Sequence, residues 1–209
     1  MTPENQILLK EGLSELGLKL SESQIERLIG YHDFLHERNQ QVNLTGIRDE
    51  RDSVIKNLLN SLAPWRHLDA SRVTADIGTG GGLPGIPLGI ALDMPKMTLI
   101  ESKEKKCVFL REACEKFLPA ATVLETDVNM ITDKYQQIIS SALGALDKLL
   151  RITERMQTNG TKYVIWKGRQ QKITEEIAMC PKNRRRWEVK PFDVPAMPDT
   201  ERHICLLTR

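Results

Sequence analysis

The stretch DIGTGGGLPGIPLGIAL, residues 76–92, holds six glycines and two prolines in an otherwise apolar run. Glycine this dense loses backbone entropy on folding, so it is kept where the chain takes positive φ or where a ligand lies against the backbone. A loose turn between two buried elements needs one glycine. A run of them asks for a ligand.

Downstream of Arg72 the apolar pattern is that of short strands alternating with helices. The segments VTADIG, KMTLIES, ATVLETD, QQIISS and TKYVIWKG read as strands. GIPLGIAL, KEKKCVFLREACEKFL, ALGALDKLLRITERM and KITEEIAMC read as helices. Strands spaced by helices of this length predict parallel βαβ units and a doubly wound α/β sheet. RWEVKPF and RHICLLT follow with no helix between them, which predicts a terminal antiparallel hairpin. In such sheets ligands bind beyond the carboxyl ends of the strands, and the glycine run follows the first strand.

Two ligand classes compete for that loop. Gly80, Gly82 and Gly85 can be read as GxGxxG, the dinucleotide fingerprint, with Glu101 closing the next strand. Asp76, Gly78, Gly80 and Gly82 can instead be read as the D-x-G-x-G-x-G of S-adenosylmethionine methyltransferases. Asp76 lies in the strand end, where it repels a pyrophosphate and welcomes an ammonium group or its water. Pro84 and Pro87 suit a loop entering a helix, and the terminal hairpin is a methyltransferase feature. All three favour the second reading. Glu101 would then accept hydrogen bonds from the two ribose hydroxyls, because an ionised carboxylate is acceptor-only. Its plain alternative is an exposed acid ahead of a helix. The glycine amides would face the methionine carboxylate at a helix N-terminus.

The first seventy residues read as helical and form the first of two expected units, 1–70 against 71–209. Pro3 opens a helix that carries Ile7, Leu8, Leu9, Leu13 and Leu16 and ends at Gly17. Ser21 and Gln24 make a capping box for a second helix, where His32 reads as a packing residue and not a ligand. A third helix is expected from Asp52 to Pro64. None of the three carries a catalytic signature.

Composition bounds the rest. The chain has 209 residues, 40% of them hydrophobic, enough for one sizeable core. No apolar run reaches a membrane span, and MTPENQILLKEG lacks a signal-peptide pattern, so a cytoplasmic protein is expected. Cys107, Cys114, Cys180 and Cys205 form no CxxC pair and no metal-ligand spacing, so no metal is expected. Residues 1–100 carry 10 Lys/Arg against 13 Asp/Glu, and residues 101–209 carry 20 against 15. The excess gathers at Lys182, Arg184, Arg185, Arg186 and Lys190, with Trp187 among them. Cations around an aromatic suit phosphate contact and base stacking, although a solvated loop has the same composition.

NLTGIRD (residues 43–49), DIGTGGGLPGIPLGIA, LIESKEKKCVFLRE, WKG (residues 166–168) and ERHICLL (residues 201–207) together resemble the RsmG family, also called GidB. The resemblance covers nearly the whole chain. It implies the class I S-adenosylmethionine-dependent methyltransferase fold with an N-terminal helical extension, and methylation of a guanine at N7 in 16S ribosomal RNA. The implied partner is that RNA or the 30S subunit, and a monomer is expected. By position, Gly78, Leu83, Val128 and Asn129 match residues that bind the cofactor, and Ser141 stands in the same region.

The chain departs from the family pattern at several charged positions. The family's RHxxDS is KNLLNS here, placing Asn57 and Asn60 where a His and an Asp are common. Its S-R-A after the fourth strand is Ser140-Ser141-Ala142. Lys167, or Lys105 and Lys106, are the cations that remain to take over the role of the missing Arg, and Lys167 and Ser141 are the candidate catalytic residues. A methyltransferase of another RNA or of a small molecule is one alternative, and a non-catalytic RNA-binding protein is another. Guanine N7 has a free lone pair at neutral pH, so attack there needs positioning and no general base.

Overall fold

Side chains of a strand alternate between the two faces of its sheet. Ile139, Val164 and Trp166 therefore join one apolar core, while Ile138, Tyr163 and Ile165 join another on the opposite face. A computed structural model of the chain describes every residue except 142 and 182–185. Its seven strands are β1 (Thr74–Ile77), β2 (Met97–Glu101), β3 (Thr122–Glu125), β4 (Tyr135–Ser141), β5 (Gln157–Lys167), β6 (Glu188–Pro191) and β7 (His203–Thr208). They lie in the order β3-β2-β1-β4-β5-β7-β6. β1 to β5 pair in parallel, whereas β7 is antiparallel to both β5 and β6. The doubly wound sheet and its terminal hairpin are as the sequence predicts.

Helices α1 (Pro3–Glu15) and α2 (Glu22–Arg38) carry the expected signals: Pro3 opens the first, and Ser21 with Gln24 closes a full capping box on the second. The next helix starts at Glu50, not Asp52, because Asp49 caps it by accepting from Asp52 N at 2.8 Å. It runs through α3 (Glu50–Ser53), a π-helical stretch at Val54–Leu59 and a last turn α4 (Asn60–Leu62). Leu9, Leu28, Tyr31, Leu35 and Leu58 share a core with α5 (Gly85–Ala91), α6 (Glu104–Phe117) and one sheet face. The N-terminal helices thus form part of the wall on the α5–α6 side.

The opposite face is covered by α7 (Leu146–Ile152) and α8 (Gln170–Met179). The single helix expected over 142–156 is shorter. Thr153 Oγ1 turns back to donate to the Leu149 carbonyl at 2.7 Å and meets the Tyr163 hydroxyl at 2.8 Å, and a separate 3-10 turn follows at Glu154–Met156.

Candidate functional site

β1 is buried along its whole length and opens at Ile77 into the glycine loop. Gly78, Gly80 and Gly82 all have positive φ, at 67°, 59° and 92°. The reasons for bareness differ along the loop. A Cβ on Gly85 would sit 2.5 Å from Leu99 Cδ2 and 2.7 Å from Asp76 Oδ2, so the fold itself excludes one there. A Cβ on Gly80 would meet nothing closer than the Leu44 carbonyl at 3.8 Å and Lys106 Nζ at 3.9 Å. Gly80 is half-buried, and the space beside it holds an acceptor and a cation at ordinary contact distance.

Asp76 does not face that space, contrary to the sequence expectation. It is fully buried, and its Oδ2 accepts from Thr79 Oγ1 at 2.6 Å and from Gly85 N at 2.8 Å. Oδ1 is buried with no partner among the described residues. Burial pushes the carboxyl up to about 7, against the two hydrogen bonds that lower it. The central strand is covered on both faces, so a carboxylate at its end ties the loop to α5 and meets no external ammonium group. Most of the loop's amides are engaged within the protein. The amides of Gly78 and Thr79 go to Ile100 O, those of Gly82 and Leu83 to Thr79 O, and that of Gly80 to Glu101 Oε2.

Glu101 closes β2 opposite the loop. Its Oε1 accepts from Ser102 N at 2.8 Å and Lys103 N at 3.0 Å, and its Oε2 from Gly80 N at 3.2 Å. Oε2 keeps acceptor capacity for hydroxyl donors. Leu83 is half-buried against the core. Half-buried Val128 and exposed Asn129 lie in a 3-10 turn after β3, where Asp127 Oδ1 accepts from Asn129 N and Nδ2 at 2.8 and 2.7 Å.

The N-terminal segment reaches this loop, which sequence reasoning missed. The Tyr31 hydroxyl donates to Gly81 O at 2.7 Å. Asn39 Oδ1 accepts from Leu44 N and Thr45 N, each at 2.9 Å, and its Nδ2 donates to Ile47 O at 3.0 Å. That bend sets the Leu44 carbonyl beside Gly80. The only sequence signal was the NLTGIRD motif itself.

A second concavity, of about 680 Å³, opens at the carboxyl ends of β4 and β5. It brings together three positions singled out in the sequence, Asn60, Ser141 and Lys167. Lys167 is not a free cation. Its Nζ donates to Glu176 Oε2 and to Gly144 O, both at 2.6 Å, and Glu176 Oε2 also accepts from Leu146 N at 3.1 Å. Trp166 Nε1 donates to the Asn60 carbonyl at 3.0 Å, while Asn60 Oδ1 is buried with no partner among the described residues. Asn57 lies apart from the cavity lining. Its Nδ2 donates to Ser53 Oγ at 2.9 Å, and its Oδ1 accepts from Thr45 Oγ1 at 3.5 Å. Leu143, in the loop after β4, packs on the glycine loop: a Cβ on Gly78 would lie 2.5 Å from its Cδ1.

The basic cluster falls only partly within the described residues, since Lys182, Arg184 and Arg185 lie outside them. Arg186 is exposed, and Lys190 pairs with Glu188 at 2.9 Å. Trp187 is no stacking platform: it is buried and packs edge-on against Tyr163, with ring centroids 6.1 Å apart. The four cysteines are all buried.

The profile of the GidB family, described as rRNA small subunit methyltransferase G, matches residues 24–205. The chain belongs to this family. Relatives named Ribosomal RNA small subunit methyltransferase G bear out the match. That of Chromobacterium violaceum is 38% identical over 199 residues, covering 94% of each chain. That of Aromatoleum aromaticum is 36% identical over 208 residues, covering 96% of this chain and 97% of the relative. Among solved structures, a SAM dependent methyltransferase from Aquifex aeolicus aligns with TM-score 0.56 at 14% identity, over 75% of this chain and 92% of that one. M. jannaschii TYW2 in complex with AdoMet aligns with TM-score 0.53 at 14% identity, over 71% and 74%. These show the fold that GidB members share with other methyltransferases.

Proposed function

We propose that this GidB-family enzyme transfers a methyl group from S-adenosylmethionine to N7 of a guanine in 16S ribosomal RNA. Methylation of small-subunit ribosomal RNA with that donor follows from family membership. The finer assignment, to guanine N7, is supported by the second cavity. Its buried carboxylate, Glu176, is already held by Lys167 and by the Leu146 amide. A group so engaged is poorly placed to take a proton, which suits a nucleophile that arrives with its own lone pair.

The residues around the glycine loop fit the donor. When bound, it supplies an electrophilic sulfonium methyl. Glu101 Oε2 would accept from the ribose hydroxyls. Lys106 and the Leu44 carbonyl flank Gly80 with one cation and one acceptor, which complements a zwitterionic amino-acid end. Leu83, Val128 and Asn129 would line the remainder, while Asp76, Gly78 and Gly82 hold the loop in shape. Ser141 and Asn60 would orient the target base from the neighbouring wall. Catalysis by these residues is then positioning, with two sites held at a fixed separation. Among the described residues no helix is long and apolar enough to cross a membrane, and the enzyme is proposed to act in the cytoplasm as a monomer.

The test is transfer of radioactive label from methyl-labelled S-adenosylmethionine to purified 30S subunits. Label in the RNA is the expected result; unlabelled RNA, with the donor shown to bind, would overturn the assignment.

A further inference from the structure

We propose that Tyr31 is a positioning residue for the methyl donor: from α2 its hydroxyl fixes the Gly81 peptide and so shapes the glycine loop before S-adenosylmethionine arrives. The inference rests on the reading of that loop as the donor's site.

The loop does not hold its own middle. Gly80, Gly81 and Gly82 are consecutive, and the outer two have positive φ. Glycine has the widest choice of backbone conformations, so a single shape for three of them is imposed by outside contacts. The Gly82 amide is tied to Thr79 O and the Gly80 amide to Glu101 Oε2. Among the described residues, Gly81 O has one hydrogen-bond partner, the Tyr31 hydroxyl at 2.7 Å, and the Gly81 amide has none. Gly81 is buried, and a buried amide left unpaired is rare. Of the amides from Gly78 to Leu83, it is the one left to meet the carboxylate of the donor's amino-acid end.

Packing closes on the same place from the N-terminal side. A Cβ on Gly81 would lie 3.0 Å from Leu35 Cδ1 on α2 and 3.5 Å from Leu44 Cβ. α2 is itself fixed against α6. A Cβ on Gly30 would lie 2.7 Å from Phe117 Cε1, Phe34 stacks on Phe109 with ring centroids 5.2 Å apart, and Arg38 pairs with Glu112. A hydroxyl on a helix so fixed is a rigid hydrogen-bond donor. Burial, with Asp76 and Cys114 nearby, raises the phenol well above its usual value, so the proton stays on. Without that hydroxyl the Gly81 carbonyl is released, and S-adenosylmethionine binds only the fraction of molecules whose loop has the right shape. Apparent affinity falls by that fraction.

The experiment is Tyr31→Phe, which removes the hydroxyl and keeps the ring. S-adenosylmethionine affinity is measured by calorimetry on protein shown to be folded by circular dichroism. Methyl transfer to 30S subunits is measured against donor concentration. The control is Tyr163→Phe, which removes another fully buried hydroxyl, bonded to Thr153 and Gln157 and packed in the core on the other face of the sheet. Both variants are expected to lose stability to urea. Only Tyr31→Phe is expected to weaken donor binding, by about tenfold. Its donor KM should rise by the same factor, with kcat and the KM for 30S near wild type. A lowered urea midpoint with donor KM unchanged overturns the proposal, as does equal weakening in the control.

Labelling with 3-fluorotyrosine supplies a measurement that leaves Tyr31 in place. The chain has three tyrosines, so Tyr135→Phe and Tyr163→Phe assign the Tyr31 fluorine resonance by elimination. Adding S-adenosylmethionine should shift that resonance and leave the Tyr163 resonance unmoved; an unmoved Tyr31 resonance overturns the proposal. A wild type that binds no donor would overturn the reading of the loop, and the inference with it.

Discussion

Lys167 Nζ and Glu176 Oε2 lie 2.6 Å apart, with only 11% and 8% of their side chains exposed, and the same ammonium group donates to Gly144 O at 2.6 Å. The pair joins β5 to α8 and to the loop after β4. A lysine that sequence reading marks as a candidate for chemistry is thus a positioning residue. Removing one partner strands the other charge in a mostly buried position. Lys167→Met is expected to destabilise the fold by about 3–5 kcal/mol, and the double variant Lys167→Met, Glu176→Leu to recover most of it. Urea midpoints of the three proteins check this; equal midpoints for wild type and Lys167→Met would make the pair a surface contact.

Asp76 sets a pH dependence of unusual sign. Its carboxyl keeps the proton up to about pH 7 in the fold, whereas an unfolded chain releases it near the ordinary value of about 3.9. Between those limits the folded state holds more protons, so this group's contribution to stability falls as pH rises from about 4 to about 7 and is level above. The slope is at most about 1.4 kcal/mol per pH unit. Asp76→Asn stays neutral and can still accept from Gly85 N. Relative to wild type, the variant should therefore gain stability between pH 5 and 7.5, measured by urea unfolding. A difference independent of pH would place the titration elsewhere.

Gly80 and Gly85 should separate binding from folding. Gly85→Val drives a branched side chain into Leu99 and Asp76 and is expected to unfold the protein. A Cβ at Gly80 makes only ordinary contacts, so the main cost of Gly80→Val is the strain of a β-branched residue at φ 59°, about 1–2 kcal/mol. It should give a folded protein with no measurable affinity for S-adenosylmethionine. Circular dichroism and calorimetry on the same samples decide it; donor binding as in wild type would mean that the donor does not lie against Gly80.

The sheet was legible because short apolar runs spaced by helices, and two last strands without a helix between them, are local patterns. The capping box of Ser21 and Gln24 and the proline at the start of α1 were legible for the same reason. What the sequence concealed depends on long-range packing. Asp76 at a strand end looks available until β1 is seen covered on both sides. Trp187 in a basic run looks exposed until Tyr163, 24 residues earlier, is found against it. Tyr31 meets Gly81 across 50 residues of chain, and no periodicity reports that. Asn60, Ser141 and Lys167 were each noticed alone, and only the parallel register of β4 with β5 brings Ser141 beside Trp166 at one cavity.

The most direct measurement of the central claim is the chemical identity of the product. Purified protein is incubated with S-adenosylmethionine and 30S subunits prepared from cells lacking this enzyme, and the 16S ribosomal RNA is digested and examined by nucleoside mass spectrometry. The expected result is a gain of 7-methylguanosine that requires both the protein and the donor. Methylation at another atom or base, or no gain with donor bound, would contradict it.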